Sequence, residues 1–200
     1  GVTRYILFFI EELARRYPKA CFIFFLAGIR NFTPPKFSPA LASRTTWRRW
    51  RVPHLFFNIL SFIFCYPKLD RWLSKRVDQP LDLLILPNLH FAAVSSSAKL
   101  LMVVHDLSFL HEPRWYTWKS RIWHRLVMCQ RLWQRADLLA CVSKMTAYDL
   151  QKTTGISRDK ISVVPYKGTG SRVGARDDGG GPYALAIGRV GPRKNILGLI

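Results

Sequence analysis

The chain has 200 residues, 49% of them hydrophobic and 22% charged, a balance that supports one ordinary globular domain with a real core and excludes a disordered chain. Its formal net charge of +19 favours anionic partners: nucleic acid, acidic lipid headgroups or phosphorylated small molecules. Nucleic acid is the least favoured of these, because there is neither a Cys/His finger spacing nor a continuous basic helix of the kind that enters a groove. Only Glu11, Glu12 and Glu112 supply glutamate, which leaves little from which to build a paired-carboxylate hydrolase.

Residues 3–17 (TRYILFFIEELARRY) predict an amphipathic helix opening beside Gly1. Residues 20–27 (ACFIFFLA) are a short apolar run between Pro18 and Gly28, the pattern of a strand buried on both faces. A proline-bearing loop over 30–40 follows. The next stretch has a basic, Trp-containing head (RTTWRRWR) and an apolar helical centre on which Asn58, Ser61 and Cys65 form one narrow polar stripe. Two readings of this helix stand side by side: a mostly buried helix, or a membrane-surface helix with Arg and Trp at the interface. Its apolar run, His54 to Pro67, is shorter than the roughly 20 residues a bilayer span requires.

Further strands are predicted at Asp82–Leu86, Leu100–Val104, Leu138–Val142 and Ile161–Pro165. Between them fall a long helix over 115–135, with Trp118, Ile122, Leu126, Cys129 and Trp133 on one side, and a helix over Lys144–Thr153. Residues 168–182 are glycine-rich with no apolar period and read as a linker. A strand at Tyr183–Ile187 and the start of a helix follow it. Short apolar strands alternating with helices argue for an α/β fold: a Rossmann-like parallel sheet with helices on both faces. Cys21, Cys65, Cys129 and Cys141 form no CxxC pair, so reduced, buried thiols in a cytosolic protein are favoured over disulfides or a zinc site.

Two stretches carry candidate chemistry. In Val103-Val104-His105-Asp106 a buried strand ends in His-Asp, where ligands of open α/β sheets bind. His105 there is either a hydrogen-bonding catalytic group or a structural loop histidine, and Asp106 would orient the loop or cap the next turn. In Gly188-Arg189-Val190-Gly191-Pro192-Arg193-Lys194-Asn195 a strand leads through a cationic glycine turn into a helix, a natural seat for a diphosphate. A solvated turn is the alternative. No GxxxxGK loop, GxSxG elbow or HExxH motif is present.

Six segments, in order along the chain, resemble the family-four retaining glycosyltransferases of the GT-B fold, especially their bacterial mannosyltransferase-like branch. They are GVTRY (1–5), ILPNLHF (85–91), HDLSFLHEPRWYTWKSR (105–121), RADLLACVSKMTAYDL (135–150), DKISVVPYKG (159–168) and AIGRVGPRKN (186–195). The resemblance implies an acceptor-side domain over 1–167 lacking its first strand, a linker over 168–182, and the start of a donor-binding domain over 183–200. Such a chain is half of a GT-B fold truncated at both ends and inactive alone. It also implies transfer of a sugar, mannose by branch, from a nucleotide-diphosphate sugar to a glycan or lipid-linked acceptor with retention. His105 would be catalytic beside the transferred sugar. Gly1, Arg189 and Lys194 would hold the donor diphosphate, and Asp106 and Asn195 would support the site. Neither metal nor cofactor is expected, because cations and helix dipoles stabilise the departing diphosphate. The expected location is cytoplasmic, peripheral on the inner face of an anionic membrane, with no nucleic acid bound. Tyr166-Lys167 departs from the family's usual Asn at that turn. The competing reading is a basic membrane-surface or nucleic-acid binding module without catalysis.

Overall fold

A computed structural model describes residues 2–127 and 129–165. Helix α1 (Val2–Arg16) buries Tyr5, Ile10 and Ala14, the inward stripe of an amphipathic helix. Strand β1 (Phe22–Ala27) follows, and the short helix α2 (Pro39–Ala42) starts at Ser38, whose hydroxyl caps it and is itself held by the Glu11 carboxylate.

The basic Trp-bearing head belongs to a strand rather than to the following helix. Strand β2 (Thr45–Trp50) pairs in parallel with β1, Phe22 opposite Thr45 and Ala27 opposite Trp50. Threonine and tryptophan suit a pleated surface, and two of the head's arginines find backbone carbonyls. The Arg49 guanidinium donates to the carbonyls of Gly28 and Arg30, and Arg44 donates to those of Ala14, Tyr17, Pro18 and Ala20. Trp47 stacks on Phe24 at 4.7 Å and Trp50 on Trp72 at 5.8 Å, so neither indole is a free interfacial anchor. Because β1 and β2 form a two-stranded sheet, β1 is only partly buried, not covered on both faces as its apolar run predicts.

The remaining elements are α3 (His54–Ile63), α4 (Leu69–Val77), β3 (Leu83–Leu86), β4 (Lys99–Val104), α5 (Ser108–His111), α6 (Trp118–Leu126), α7 (Cys129–Arg135), β5 (Leu138–Cys141), α8 (Lys144–Thr154) and β6 (Ile161–Val163). Strands β3-β4-β5-β6 form a parallel sheet in that order. Its pleat sends Leu100, Met102 and Val104 into the main core with Phe57, Leu73, Trp133, Ala147 and Leu150, while Leu101, Val103 and Ala140 meet Tyr5 on the other face. Helices therefore cover both faces, α1 on one and α3, α4, α7 and α8 on the other. This is the α/β, Rossmann-like arrangement expected.

Two helices differ from expectation. The predicted long helix over 115–135 is divided into α6 and α7: Cys129 and Trp133 are buried, whereas Trp118, Ile122 and Leu126 point outward. Val127, buried against the core, ends α6. On α3 the polar stripe faces the wrong way for a buried helix. Ser61 is buried and Asn58 half-buried, while Leu55, Phe56, Ile59 and Ile63 are exposed. Cys65 lies beyond the helix end and, like Cys21, is exposed; only Cys129 and Cys141 fit the buried-thiol expectation, and all four are free.

A buried polar bracket ties the amino-terminal side of this sheet. Asp70 in α4 is fully buried and accepts from the Ser95 amide at 2.9 Å, the Ser95 hydroxyl and the Ser97 hydroxyl at 2.8 Å. Burial alone would push its carboxyl up, but these donors outweigh it and hold the pKa at about 2. Arg135 donates to the carbonyls of Ser95 and Ala98 and pairs with Asp137 at 3.1 Å. Asp137 in turn accepts from the Leu100 amide at 2.9 Å, at the start of β4. Asp70→Ala leaves several buried donors unpaired and is expected to cost about 2–3 kcal/mol in urea unfolding. An unfolded Asp titrates near 3.9. Because the folded pKa is the lower one, Asp70's contribution is full above about pH 4 and is lost as pH falls toward 2. The wild-type stability should therefore drop by about 2 kcal/mol more than that of Asp70→Asn across this window.

Candidate active site

The carboxyl ends of the four-stranded sheet form one edge, and His105 sits on it immediately after β4. Its Nε2 lies 3.0 Å from the Pro87 carbonyl, just past the end of β3. A carbonyl only accepts, so Nε2 carries the proton, and in the neutral imidazole Nδ1 is left as an acceptor. The Tyr5 and His105 rings meet edge to face with centroids 5.4 Å apart. The Tyr5 hydroxyl donates to Val164 O at 2.9 Å, past the end of β6. Burial, with a smaller effect from nearby Cys141, pushes the Tyr5 phenol above its ordinary range. Burial also pushes the Cys141 thiol up to about 11, so at neutral pH it is a protonated part of the floor and no nucleophile.

Two helices begin at this edge. Tyr5 places the first turns of α1 beside His105. Helix α8 is capped by Ser143, whose hydroxyl accepts from the Thr146 amide at 3.1 Å, and the Thr146 hydroxyl reaches the His105 carbonyl at 3.4 Å. Helix N-termini carry unpaired amides and partial positive charge, so the edge favours a negatively charged ligand. Neither first turn contains an acidic residue to cancel that field.

Asp106 turns away from the strand axis and shapes the following turn, accepting from the Ser108 amide at 3.1 Å and the Ser108 hydroxyl at 2.5 Å. Ser108 Oγ also lies 2.6 Å from the Tyr116 hydroxyl, so this turn is linked to the segment before α6. The ring of His124 stacks on Phe109 at 4.5 Å and meets the Tyr116 ring at 5.0 Å; burial holds its pKa below the ordinary histidine range despite the opposing pull of Asp106.

Nearby, His54 and His90 approach through their Nε2 atoms at 3.2 Å. With the Asn58 amide nitrogen 3.3 Å from His54 Nδ1 and His90 Nδ1 3.1 Å from the Phe91 carbonyl, one consistent proton order follows. Asn58 donates to His54, His54 donates to His90, and His90 donates to Phe91. Burial pushes the His90 pKa down, only partly opposed by the Phe91 carbonyl, and the neighbouring His54 lowers it further.

Of the residues singled out in the sequence, His105 and Asp106 stand together at this edge. Gly1, Arg189, Lys194 and Asn195 lie outside the described residues, as do the linker over 168–182 and the segment over 183–200. Sequence reasoning gave no role to Pro87, His90 or Tyr116, which stood only inside the family-like segments, and passed over His54; the Pro87–His105 and His54–His90 partners, 18 and 36 positions apart, leave no local pattern to read. Tyr5 was visible only as part of a motif. The Arg135-Ala136-Asp137 segment is a bracket at the opposite end of β4, because Asp137 bonds the Leu100 amide. Among the described residues no His/Cys/Asp/Glu group of three or more could hold a metal ion.

Set against known families, residues 1–166 match Glycosyltransferase Family 4. The chain belongs to that family. It is thus a glycosyltransferase domain, with a sugar donor and an acceptor as its partners in general terms. Neither the curated proteins nor the solved structures gave a match. Within this family-4 domain, Tyr5→Phe removes the hydroxyl donated to Val164 and is expected to cost about 1 kcal/mol in denaturant unfolding. Tyr5→Ala, which also deletes the ring, should in addition shift the His105 imidazole NMR signals; unchanged signals would contradict the contact.

Proposed function

We propose that this domain is the acceptor-side half of a retaining glycosyltransferase that moves a hexose, mannose by resemblance, from a nucleotide-diphosphate sugar to a glycan or lipid-linked acceptor. The observation that supports this reading is the meeting of His105 with the N-termini of α1 and α8 at one sheet edge. Transfer breaks the bond between the anomeric carbon and the diphosphate, and negative charge develops on the departing oxygen. Fixed amides and helix dipoles stabilise that charge without reorganising. His105 Nδ1 is suited to accept a hydrogen bond from a sugar hydroxyl, with the Pro87 carbonyl and the Tyr5 ring fixing the imidazole. In this reading Gly1, Arg189 and Lys194 hold the diphosphate, Asp106 and Asn195 support them, and neither metal nor cofactor takes part. The binding module without catalysis is not favoured, since the family match spans residues 1–166.

In the full-length protein, His105→Ala is expected to lower kcat/KM by about 100-fold, roughly 2.7 kcal/mol of barrier, as measured by nucleoside diphosphate release. A variant with undiminished turnover would remove His105 from the mechanism.

The domain is also proposed to rest on an anionic membrane through α3. Leu55, Phe56, Ile59 and Ile63 repeat at helical spacing on its outward face, with Leu55 71% and Ile63 61% exposed. No Asp or Glu occurs between Glu12 and Asp70, so every formal charge in the stretch of chain that carries α3 is positive. Apolar burial and attraction to anionic headgroups then act together. No helix among the described residues is long and apolar enough to cross a membrane. The chain should float with phosphatidylglycerol-rich vesicles at low salt and not with pure phosphatidylcholine, and Ile59→Glu with Ile63→Glu should abolish flotation. Equal recovery with both vesicle types, or no recovery with either, would refute the membrane contact.

A further inference from the structure

Two histidines meet where the start of α3 faces the loop after β3. His54 is the first residue of α3, His90 lies 36 positions further on, and their Nε2 atoms stand 3.2 Å apart. The ring planes are nearly perpendicular, at 83°, with centroids 5.1 Å apart. Rings set end to end across that nitrogen gap would have centroids farther apart, so at least one ring axis bends off the line joining the nitrogens. A straight N–H···N hydrogen bond would keep the donor ring on that line. A metal ion placed to one side of it asks for the bend. Two zinc–nitrogen bonds of about 2.0–2.1 Å that reach nitrogens this far apart enclose about 100°, near the tetrahedral angle that zinc adopts.

A ligating imidazole also needs its other nitrogen held by an acceptor. His90 meets this condition, because its Nδ1 lies 3.1 Å from the Phe91 carbonyl, which only accepts. In the neutral ring its Nε2 is then a lone pair aimed at His54. His54 meets the condition when the Asn58 side chain presents its oxygen. Asn58 Nδ2 is 3.3 Å from His54 Nδ1, and Asn58 Oδ1 is buried without a hydrogen-bond partner among the described residues. Turning the amide over therefore exchanges one hydrogen bond to His54 for another, and the His54 proton moves from Nε2 to Nδ1. The ring stays neutral, and two Nε2 lone pairs face each other.

The donor set decides the metal. Imidazole nitrogen suits zinc-like ions, whereas Mg²⁺ and Ca²⁺ require oxygen, and no carboxylate occurs between Glu12 and Asp70. Among the described residues no third His, Cys, Asp or Glu joins the pair. The His54 ring is exposed, so water can take the remaining positions. The cationic stretch around α3 and the positive end of that helix both oppose a cation, so binding rests on the two metal–nitrogen bonds and not on the field.

We propose that His54 and His90 bind a Zn²⁺ ion that clamps the start of α3 to the loop after β3. Pro87, whose carbonyl bonds His105 Nε2, lies in that same loop three positions before His90. The ion thus steadies the segment that orients His105 while taking no part in transfer.

Calorimetric titration with Zn²⁺ tests the clamp. The exposed thiols are first replaced (Cys21→Ser, Cys65→Ser), since thiolates bind zinc on their own. A single ion per chain should bind, and Mg²⁺ should not. His54→Ala and His90→Gln should each weaken binding at least tenfold, and Asn58→Ala roughly tenfold through the lost acceptor. His54 is exposed, so near-ultraviolet circular dichroism of His54→Ala should match the parent. Saturating Zn²⁺ should raise the thermal unfolding midpoint of the parent and not that of His54→Ala. Absence of saturable binding below about 1 mM overturns the proposal, as does equal binding of Mg²⁺. Binding by His54→Ala that equals the parent's assigns the ion to other side chains and sinks it too. A midpoint that zinc leaves unmoved in the parent removes the clamp.

Discussion

The pleat of β4 governs this domain. Successive residues from Leu100 to Val104 are buried alternately on opposite faces, so both faces of the sheet must be covered by helices. In a parallel sheet those helices run antiparallel to the strands, and the chain leaves every strand at the same edge. That edge is the one place where loop residues and helix N-termini collect. His105, the Pro87 carbonyl, Ser143 and Val164 are neighbours there because each follows the end of a different strand. The site is thus a consequence of covering an apolar strand twice, with the Asp70 and Arg135–Asp137 bracket fixing where β4 begins.

Much of this was legible from the amino acids. Strands β1, β3, β4, β5 and β6 are short apolar runs, and α1 and α8 carry a helical period, so the class of fold follows from pattern alone. Strand β2 was hidden because arginine is a poor sign of a strand. The charge of Arg49 is reconciled by the Gly28 carbonyl, 21 positions away. The division between α6 and α7 was hidden for a related reason. Periodicity shows that Trp118, Ile122, Leu126, Cys129 and Trp133 share a helical face but cannot show that only the last two find a core.

The site was half visible. A His-Asp pair after a buried strand marks His105 and Asp106, since strand ends are where ligands of such sheets sit. What fixes His105 was not visible. The Pro87 carbonyl is a backbone group with no residue preference, and Tyr5 reaches the ring from a helix a hundred positions earlier. The family match, which covers residues 1–166, supplies what no local pattern does, namely that these separated groups belong to a glycosyl-transfer domain.

The distribution of charge gives the excess of cations a physical sense. Carboxylates are absent between Glu12 and Asp70 and between Glu112 and Asp137, and the outward apolar residues of α3 and α6 lie within these two stretches. The aromatic chain Phe62, Phe91 and Trp123, with ring centroids 6.2 Å and 6.0 Å apart, joins the two helices. Asp70 and Asp137, both held near pKa 2, brace the protein's own backbone, while Arg125 and Arg131 line a groove beside α6. The membrane contact proposed for α3 and the proposed stabilisation of a departing phosphate at the sheet edge would both draw on one electrostatic bias.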